Sequence, residues 1–297
     1  MSREQLFDQP EFVPQFDDLT VLGSSRIALT GRTGVLGRIV AERCASAGLA
    51  MSAFEGDVTD SQAVDAWLRD AKPALVLHFA ALVPVTEVER NPLRAYEVNA
   101  LGSFHVASST IRHAPRAWLF LASSSHVYAP TRCGSTTPIS EDSALEPASF
   151  YGVSKLAGER LAVPVLTRCQ VPFCVGRIFS FSHDTQLPPY LVPSLRARIS
   201  DLPEGGTLRV ATPAAVRDIL DAETVVDIVL ALAKRHHVGT VNIGSGRGLS
   251  VKAIAQRLAA RVGKSITIEE EGAAVANALV ADVTRLRSAL GGGILAR

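Results

Sequence analysis

The sequence has four cysteines, and Cys44, Cys133, Cys169 and Cys174 show no Cys-x-x-Cys spacing. No secretory-type leader stands ahead of them, so neither a zinc site nor a disulfide framework is expected, and the thiols read as buried groups in a reducing cytoplasm. The chain also lacks a charge excess: 30 basic and 29 acidic residues leave a formal net charge of +1. That balance gives no electrostatic ground for nucleic acid or a membrane surface as partner. Long apolar runs are missing too. The stretch Ala74–Val85 is interrupted by His78 and Pro84, and it falls far short of the roughly 20 residues that cross a bilayer. No internal repeat or low-complexity tract is visible. A soluble, cytoplasmic chain with a small-molecule partner and no metal site is therefore expected. With 297 residues, 47% of them apolar, it can fill one large core or two joined ones.

Residues Met1–Ser25 are polar and acidic, without clear periodicity. They read as an extension that is laid over the main body or disordered in part. From Arg26 short apolar runs alternate with amphipathic stretches: Ile27–Leu29, Val35–Ala47, Met51–Phe54, Ser61–Asp70, Ala74–Phe79, Leu101–Arg112, Ala117–Ala122, Tyr151–Ala162 and Phe173–Ile178. Strand and helix in alternation predict an α/β fold, a Rossmann-like doubly wound parallel sheet with ligands at the carboxyl ends of its strands. After Arg177 the pattern becomes irregular and proline-rich, before helices around Thr224–Lys234 and Val251–Val262. The expected division is a dinucleotide-binding domain over 26–176 with about 217–243, and a smaller substrate-binding portion over 177–216 and 244–297.

Directly after the strand Ile27–Leu29 comes Thr30-Gly31-Arg32-Thr33-Gly34-Val35-Leu36-Gly37, which opens an amphipathic helix. Glycines at 31, 34 and 37 permit a tight turn and close approach of the backbone to a pyrophosphate, while the helix N-terminus offers free N–H groups to the anion. Further on, Tyr151 and Lys155 stand four residues apart in a predicted helix, on one face, so phenol and ammonium converge. A phenol of ordinary pKa, about 10, is a sluggish acid at neutral pH, and a neighbouring cation favours its phenolate. The pair reads either as a tuned proton donor or as a surface tyrosine stacked on a lysine stem.

The Gly-x-x-Gly-x-x-Gly spacing resembles the short-chain dehydrogenase/reductase superfamily. From about Arg26 to Leu290 the chain is similar to its extended branch, the NAD-dependent epimerase/dehydratase family of nucleotide-sugar epimerases, dehydratases and reductases. Glu55-Gly56-Asp57-Val58 resembles the motif whose aspartate contacts the adenine, and His78-Phe79-Ala80-Ala81 the wall beside the adenosine ribose. Asn91-Pro92 and Asn99 resemble the next helix of the family. Leu121–Tyr128 looks like the strand that carries the catalytic hydroxyl, which falls on Ser124, with Ser123 and Ser125 pointing elsewhere by strand alternation. Arg217-Asp218-Ile219-Leu220-Asp221 resembles the segment whose arginine grips a substrate diphosphate. The other reading of Arg217 is a salt bridge with Asp218 or Asp221.

The resemblance implies a mechanism. Tyr151 exchanges a proton with a sugar oxygen, Lys155 lowers its pKa and holds the nicotinamide ribose, and Ser124 orients that oxygen. The implied cofactor site comprises Gly31, Arg32, Thr33, Gly34, Val35, Leu36, Gly37, Asp57, Val58, Phe79, Ala80, Ala81, Asn99, Tyr151 and Lys155. Ser125, His126, Ser180, His183 and Arg217 face the substrate. The cofactor is NAD or NADP: Glu55 suits a ribose 2′-hydroxyl, whereas Arg32 suits a 2′-phosphate. A dehydratase of this family carries an Asp-Glu pair after the catalytic hydroxyl, where this chain has Ser125-His126. An epimerase usually carries an asparagine where Ser180 stands. The compact body and the short step from Phe54 to Asp57 resemble the 4-keto-6-deoxyhexose reductases, with an epimerase or epimerase-reductase as alternative. His126 and His183 are either proton-transfer groups or hydrogen-bonded structural residues. A homodimer built on the helices Leu101–Arg112 and Tyr151–Ala162 is also implied.

Overall fold

The computed structural model describes residues 25–291 apart from 84, 133–136 and 273–274, together with Phe7, Pro10 and Phe12. The first half alternates regularly: β1 (Ile27–Thr30), α1 (Val35–Ser46), β2 (Met51–Ala53), α2 (Ser61–Ala71) and β3 (Leu75–His78). Then α3 (Val85–Arg90), α4 (Pro92–Tyr96), a π-helical turn (Glu97–Leu101) and α5 (Gly102–His113) lead to β4 (Trp118–Ser124). A 3-10 turn (Ser125–Val127), β5 (Thr131–Arg132), α6 (Phe150–Arg168) and β6 (Phe173–Ile178) follow. The irregular second half holds β7 (Ser180–Ser182), α7 (Leu191–Asp201), β8 (Thr207–Val210), β9 (Val216–Arg217), β10 (Ile219–Asp221) and α8 (Ala222–Lys234). Last come β11 (Gly239–Ile243), β12 (Leu249–Ser250), α9 (Val251–Arg261), β13 (Thr267–Glu270), β14 (Asn277–Leu279) and α10 (Thr284–Ala289).

Six strands form one parallel sheet in the order β11-β6-β4-β3-β1-β2. The chain winds outward from β1 to β2, then returns past β1 to β3 and on to β11. The reversal places a crevice at the carboxyl ends of β1 and β3, where the glycine loop emerges. Strands β1, β3 and β6 are buried along their whole length, as expected of a sheet covered by helices on both faces. Alternation along each strand divides the core. Ile27, Leu29, Leu75, Leu77 and Phe120 pack on one face against α1 and α8. Ala28, Val76, Leu119 and Leu121 pack on the other against α2, α5 and α6. Each such buried aliphatic side chain stabilises the fold by about 2 kcal/mol.

Helix ends are set by side chains at two places that matter for the site. The Asp60 carboxylate accepts from the backbone of Gln62 and Ala63, both at 3.0 Å, and starts α2. The Ser149 hydroxyl accepts from Gly152 N at 3.1 Å and starts α6 just before Tyr151. Helix α6 runs on through Pro164 to Arg168, past the expected end at Ala162.

The extension touches the body where it is described. Phe7 is 2% exposed and sits among Val192, Leu195 and Ile254, whereas Phe12 lies under the Arg287 guanidinium at 4.9 Å. Cys44 and Cys174 are buried, but Cys169 is exposed at the solvent end of α6, which corrects the expectation of uniformly buried thiols. Cys133 lies outside the described residues. Among the described residues no helix is long and apolar enough to cross a membrane.

Candidate active site

Strand β1 ends at Thr30, whose hydroxyl meets His78 Nδ1 at 2.7 Å and accepts from Ala80 N at 3.2 Å. These bonds draw the two strand ends together. Gly31 then turns with φ of +74°, and a Cβ there would lie 2.5 Å from Ala80 N, so a larger residue forces the strand ends apart. Gly34 precedes α1 without a side-chain cap, which leaves N–H groups of the first turn free for an anion. Residues 31–37, with Asp57, Val58, Phe79, Ala80 and Ala81, line one end of a cleft of about 950 Å³.

At the rim of this end Arg32 Nη1 lies 2.6 Å from Glu55 Oε1. The two residues that argue for opposite cofactors are thus paired with each other. Asp57 accepts from Thr59 N at 3.0 Å and pairs with Arg94. The backbone bond from Thr59 is the leading cause that holds its carboxyl below the usual range, although slight burial opposes it. His78 faces inward between Thr30 and Ser103 Oγ, the latter at 3.0 Å, and burial followed by the nearby Lys155 charge pushes it down to about 3. It is a neutral structural histidine.

At the other end of the cleft Ser124 is the last residue of β4. Its hydroxyl accepts from His126 N at 3.2 Å and is the polar neighbour that favours ionisation of the Tyr151 phenol. The start of α6 is pressed against the 3-10 turn, since a Cβ on Gly152 would collide with the His126 carbonyl. That approach brings the His126 ring within 5.5 Å of the Tyr151 ring, edge to face at 73°. Ser125, His126, Tyr151 and Lys155 all line the cleft. Ser123 also lines the cleft and donates its hydroxyl to Glu159 on α6.

The electrostatics depart from expectation. Burial pushes the Tyr151 phenol up to about 12, with the Ser124 hydrogen bond opposing and neighbouring Tyr190 reinforcing. Burial pushes Lys155 down to about 8, opposed by Glu159. The expected depression of the phenol by the Lys155 ammonium does not occur: Lys155 is not among the influences on Tyr151, and burial drives each group toward its neutral form. His126 is likewise lowered, by burial first and then by Arg217.

Arg217 lines the cleft and donates from Nη1 to the carbonyls of Val216 at 2.8 Å and Asn277 at 3.2 Å. Among the described residues no carboxylate pairs with it. Asp218 turns the opposite way and accepts from Ser245 N at 2.8 Å, Ser245 Oγ at 2.6 Å, Gly246 N at 2.9 Å and Ala281 N at 3.1 Å. The salt bridge to Asp218 is therefore absent, and burial lowers the Arg217 pKa.

Two expected site residues lie elsewhere. Asn99 is buried outside the cleft, where its amide holds Leu82 N at 2.8 Å, Leu82 O at 2.9 Å and Ser154 Oγ at 2.9 Å, so it supports the wall. His183 is engaged by Thr185 Oγ1 at 2.7 Å and Glu223 Oε1 at 3.3 Å and does not line the cleft. Ser180 does. Sequence reasoning missed Gln186 and Tyr190, which line the cleft from the segment ahead of α7. Nothing periodic in that proline-rich stretch announces them. Among the described residues no group of three metal-ligating side chains occurs.

Comparison with known proteins bears on the family and the fold. Residues 18–287 match the family described as GDP-mannose 4,6 dehydratase. A dTDP-4-dehydrorhamnose reductase of Mycolicibacterium smegmatis is 34% identical over 140 residues, 46% of this chain and 41% of that protein. The match thus spans less than half of that reductase. A UDP-glucose 4-epimerase of Lactobacillus helveticus is 27% identical over 259 residues, 80% of this chain and 77% of that protein. Among solved structures, RMD from Pseudomonas aeruginosa complexed with NADPH superposes with a TM-score of 0.80 at 23% identity, covering 90% of this chain and 92% of that one. At that identity the likeness is one of fold.

Proposed function

The chain belongs to the GDP-mannose 4,6 dehydratase family within the short-chain dehydrogenase/reductase superfamily, and from that membership we propose that it is an NAD(P)-dependent reductase of a nucleotide-activated 4-keto, 6-deoxy sugar. One observation carries the reading: a buried, protonated Tyr151 beside Ser124 lines the same cleft as the glycine loop. Reduction of a ketone consumes a proton at the carbonyl oxygen, and the phenol is in the form that gives one.

The loop fits a dinucleotide. Gly31 permits its turn, the uncapped N-terminus of α1 offers donors to the pyrophosphate, and Asp57 lies beside the adenine end. A bound nicotinamide dinucleotide would supply the hydride, which is chemistry the side chains lack. Tyr151 gives its proton to the sugar oxygen, Ser124 aligns that oxygen by hydrogen bonding, and the Lys155 charge offsets the phenolate left behind. Arg217, which among the described residues pairs with no carboxylate, offers its guanidinium to the sugar's diphosphate. Ser125-His126 supplies no acid pair for dehydration.

An epimerase that returns its hydride is the second reading, favoured by the broad alignment with the Lactobacillus epimerase. The same family reading makes the protein a homodimer. Leu101, Phe150 and Leu161 are large apolar side chains left exposed on or beside α5 and α6, and burial against a second copy would remove them from water. The test of the catalytic reading is incubation with reduced cofactor and a panel of dTDP-, UDP- and GDP-linked 4-keto sugars, with product stereochemistry read by NMR.

A further inference from the structure

Behind Lys155 runs a buried polar chain that the proton transfer does not use. Glu159 stands one turn further along α6, so its carboxylate and the Lys155 ammonium share a helix face. Both are buried. Arg177, on β6, donates from Nε to Glu159 Oε1 at 3.1 Å and from Nη2 to Oε2 at 2.8 Å. Ser123, the residue before Ser124 on β4, donates its hydroxyl to the same carboxylate. The guanidinium continues to the Tyr128 hydroxyl and the Glu141 carbonyl, each at 3.0 Å, and the Tyr128 hydroxyl donates a hydrogen bond to Asn242 Oδ1 at 2.6 Å.

We propose that Glu159 is a positioning residue for Lys155, a buried counter-charge that holds the lysine as an ammonium at the back of the cleft. The proposal rests on the catalytic reading of Lys155 given above. A buried ammonium without a nearby carboxylate loses its hydration with nothing to replace it.

The elements packed around α6 leave that task to Glu159. On α6 itself the other titratable neighbour, Tyr151, is neutral. From β3 comes His78, also neutral and lowered further by Lys155. The 3-10 turn presents His126, which burial keeps uncharged, and β4 presents the hydroxyls of Ser123 and Ser124. On α3 the Glu87 charge acts on Tyr190, and on α4 Arg94 is taken up by Asp57 and Glu97. On α5, His105 is bonded to the Val58 carbonyl at 3.0 Å. Among the described residues Glu159 is the negative charge that acts on Lys155. Arg177 limits it: a forked bond on one side of the carboxylate withdraws part of its field from the lysine, which still sits near 8. Ser123 links this balance to the strand that carries Ser124.

The chain has only five lysines, Lys72, Lys155, Lys234, Lys252 and Lys264, so the full-length protein labelled with [ε-13C]lysine gives a spectrum in which Lys155 is assigned by its absence from Lys155→Arg. Its titration midpoint is then read directly, with no sugar substrate needed. The wild-type midpoint is expected near 8. In Glu159→Gln it falls by about one pH unit, a tenfold loss of proton affinity. Ser123→Ala removes a neutral donor from the same carboxylate and is expected to move the midpoint upward. A folded Glu159→Gln protein with an unchanged Lys155 midpoint overturns the proposal. Should that variant fail to fold by near-UV circular dichroism, an unmoved midpoint in Ser123→Ala overturns it instead. Failure of the sugar-reductase reading would appear as absent turnover and would leave these midpoints where they are.

Discussion

Arg32 and Glu55 meet at 2.6 Å across the mouth of the dinucleotide end of the cleft, with side chains 53% and 68% exposed. An ion pair so open to water is worth at most about 1 kcal/mol, so an incoming ribose separates it at little cost. Freed Arg32 attracts a 2′-phosphate, and Glu55 repels one. Glu55→Gln is therefore expected to shift the ratio of NADPH to NADH affinity toward NADPH by about tenfold, and Arg32→Ala to shift it the other way. Fluorescence titration with both cofactors reads the ratio. An unchanged ratio in both variants would remove these residues from cofactor choice.

Lys155 should be a source of instability. Its pKa in the folded protein is about 8, below the ordinary lysine value, so at neutral pH the fold buries a charge that the unfolded chain exposes. Between about 8 and 10.4 the unfolded chain binds more protons, and stability attributable to this group rises with pH across that window. Lys155→Met is expected to raise Tm by several degrees at pH 7, with the gain shrinking as pH approaches 10, and to abolish activity. Calorimetry across that pH range checks the sign. A lower Tm at pH 7 would show that the ammonium stabilises the fold.

Removal of the proton donor should spare the fold and stop the chemistry. Tyr151→Phe is expected to lower kcat by about 10² to 10⁴ while cofactor affinity stays within a few-fold. Ser124→Ala is expected to lower kcat less, by about tenfold to a hundredfold, because it only aligns the oxygen. Single-turnover kinetics measures both. Full activity of Tyr151→Phe would place the acid elsewhere.

The apolar side chains left open beside α5 and α6 set an expectation for assembly. Wild-type protein is expected to sediment at twice the chain mass, and a Leu101→Glu, Leu161→Glu double variant at the mass of a single chain, since charge at the centre of an apolar contact is costly. Sedimentation velocity decides it. A wild-type monomer would count against the dimer.

Much of the site was legible because its chemistry is local in sequence. Gly31 to Gly37 lie between one strand and one helix, Ser124 was placed by the family resemblance of Leu121–Tyr128, and Tyr151 with Lys155 share a face through the helical repeat. The remainder depends on chain segments that meet only in three dimensions. Asn99 resembles a cofactor residue in sequence, yet its amide partners are Leu82 and Ser154, each far along the chain. Tyr190 and Gln186 sit in a stretch without period. The direction of the Tyr151 and Lys155 shifts follows from burial, which spacing does not encode. Helix α6 outruns its expected end because packing of Leu166 in the core holds it past Pro164.

The most direct measurement is the stoichiometry of reduced nicotinamide against sugar, followed by absorbance in the wild-type protein with a 4-keto-6-deoxy nucleotide sugar. A reductase oxidises one NAD(P)H for each sugar converted, with one new hydroxyl at C4. Conversion of sugar at constant absorbance, with the hydride returned, would contradict the account and leave an epimerase in its place.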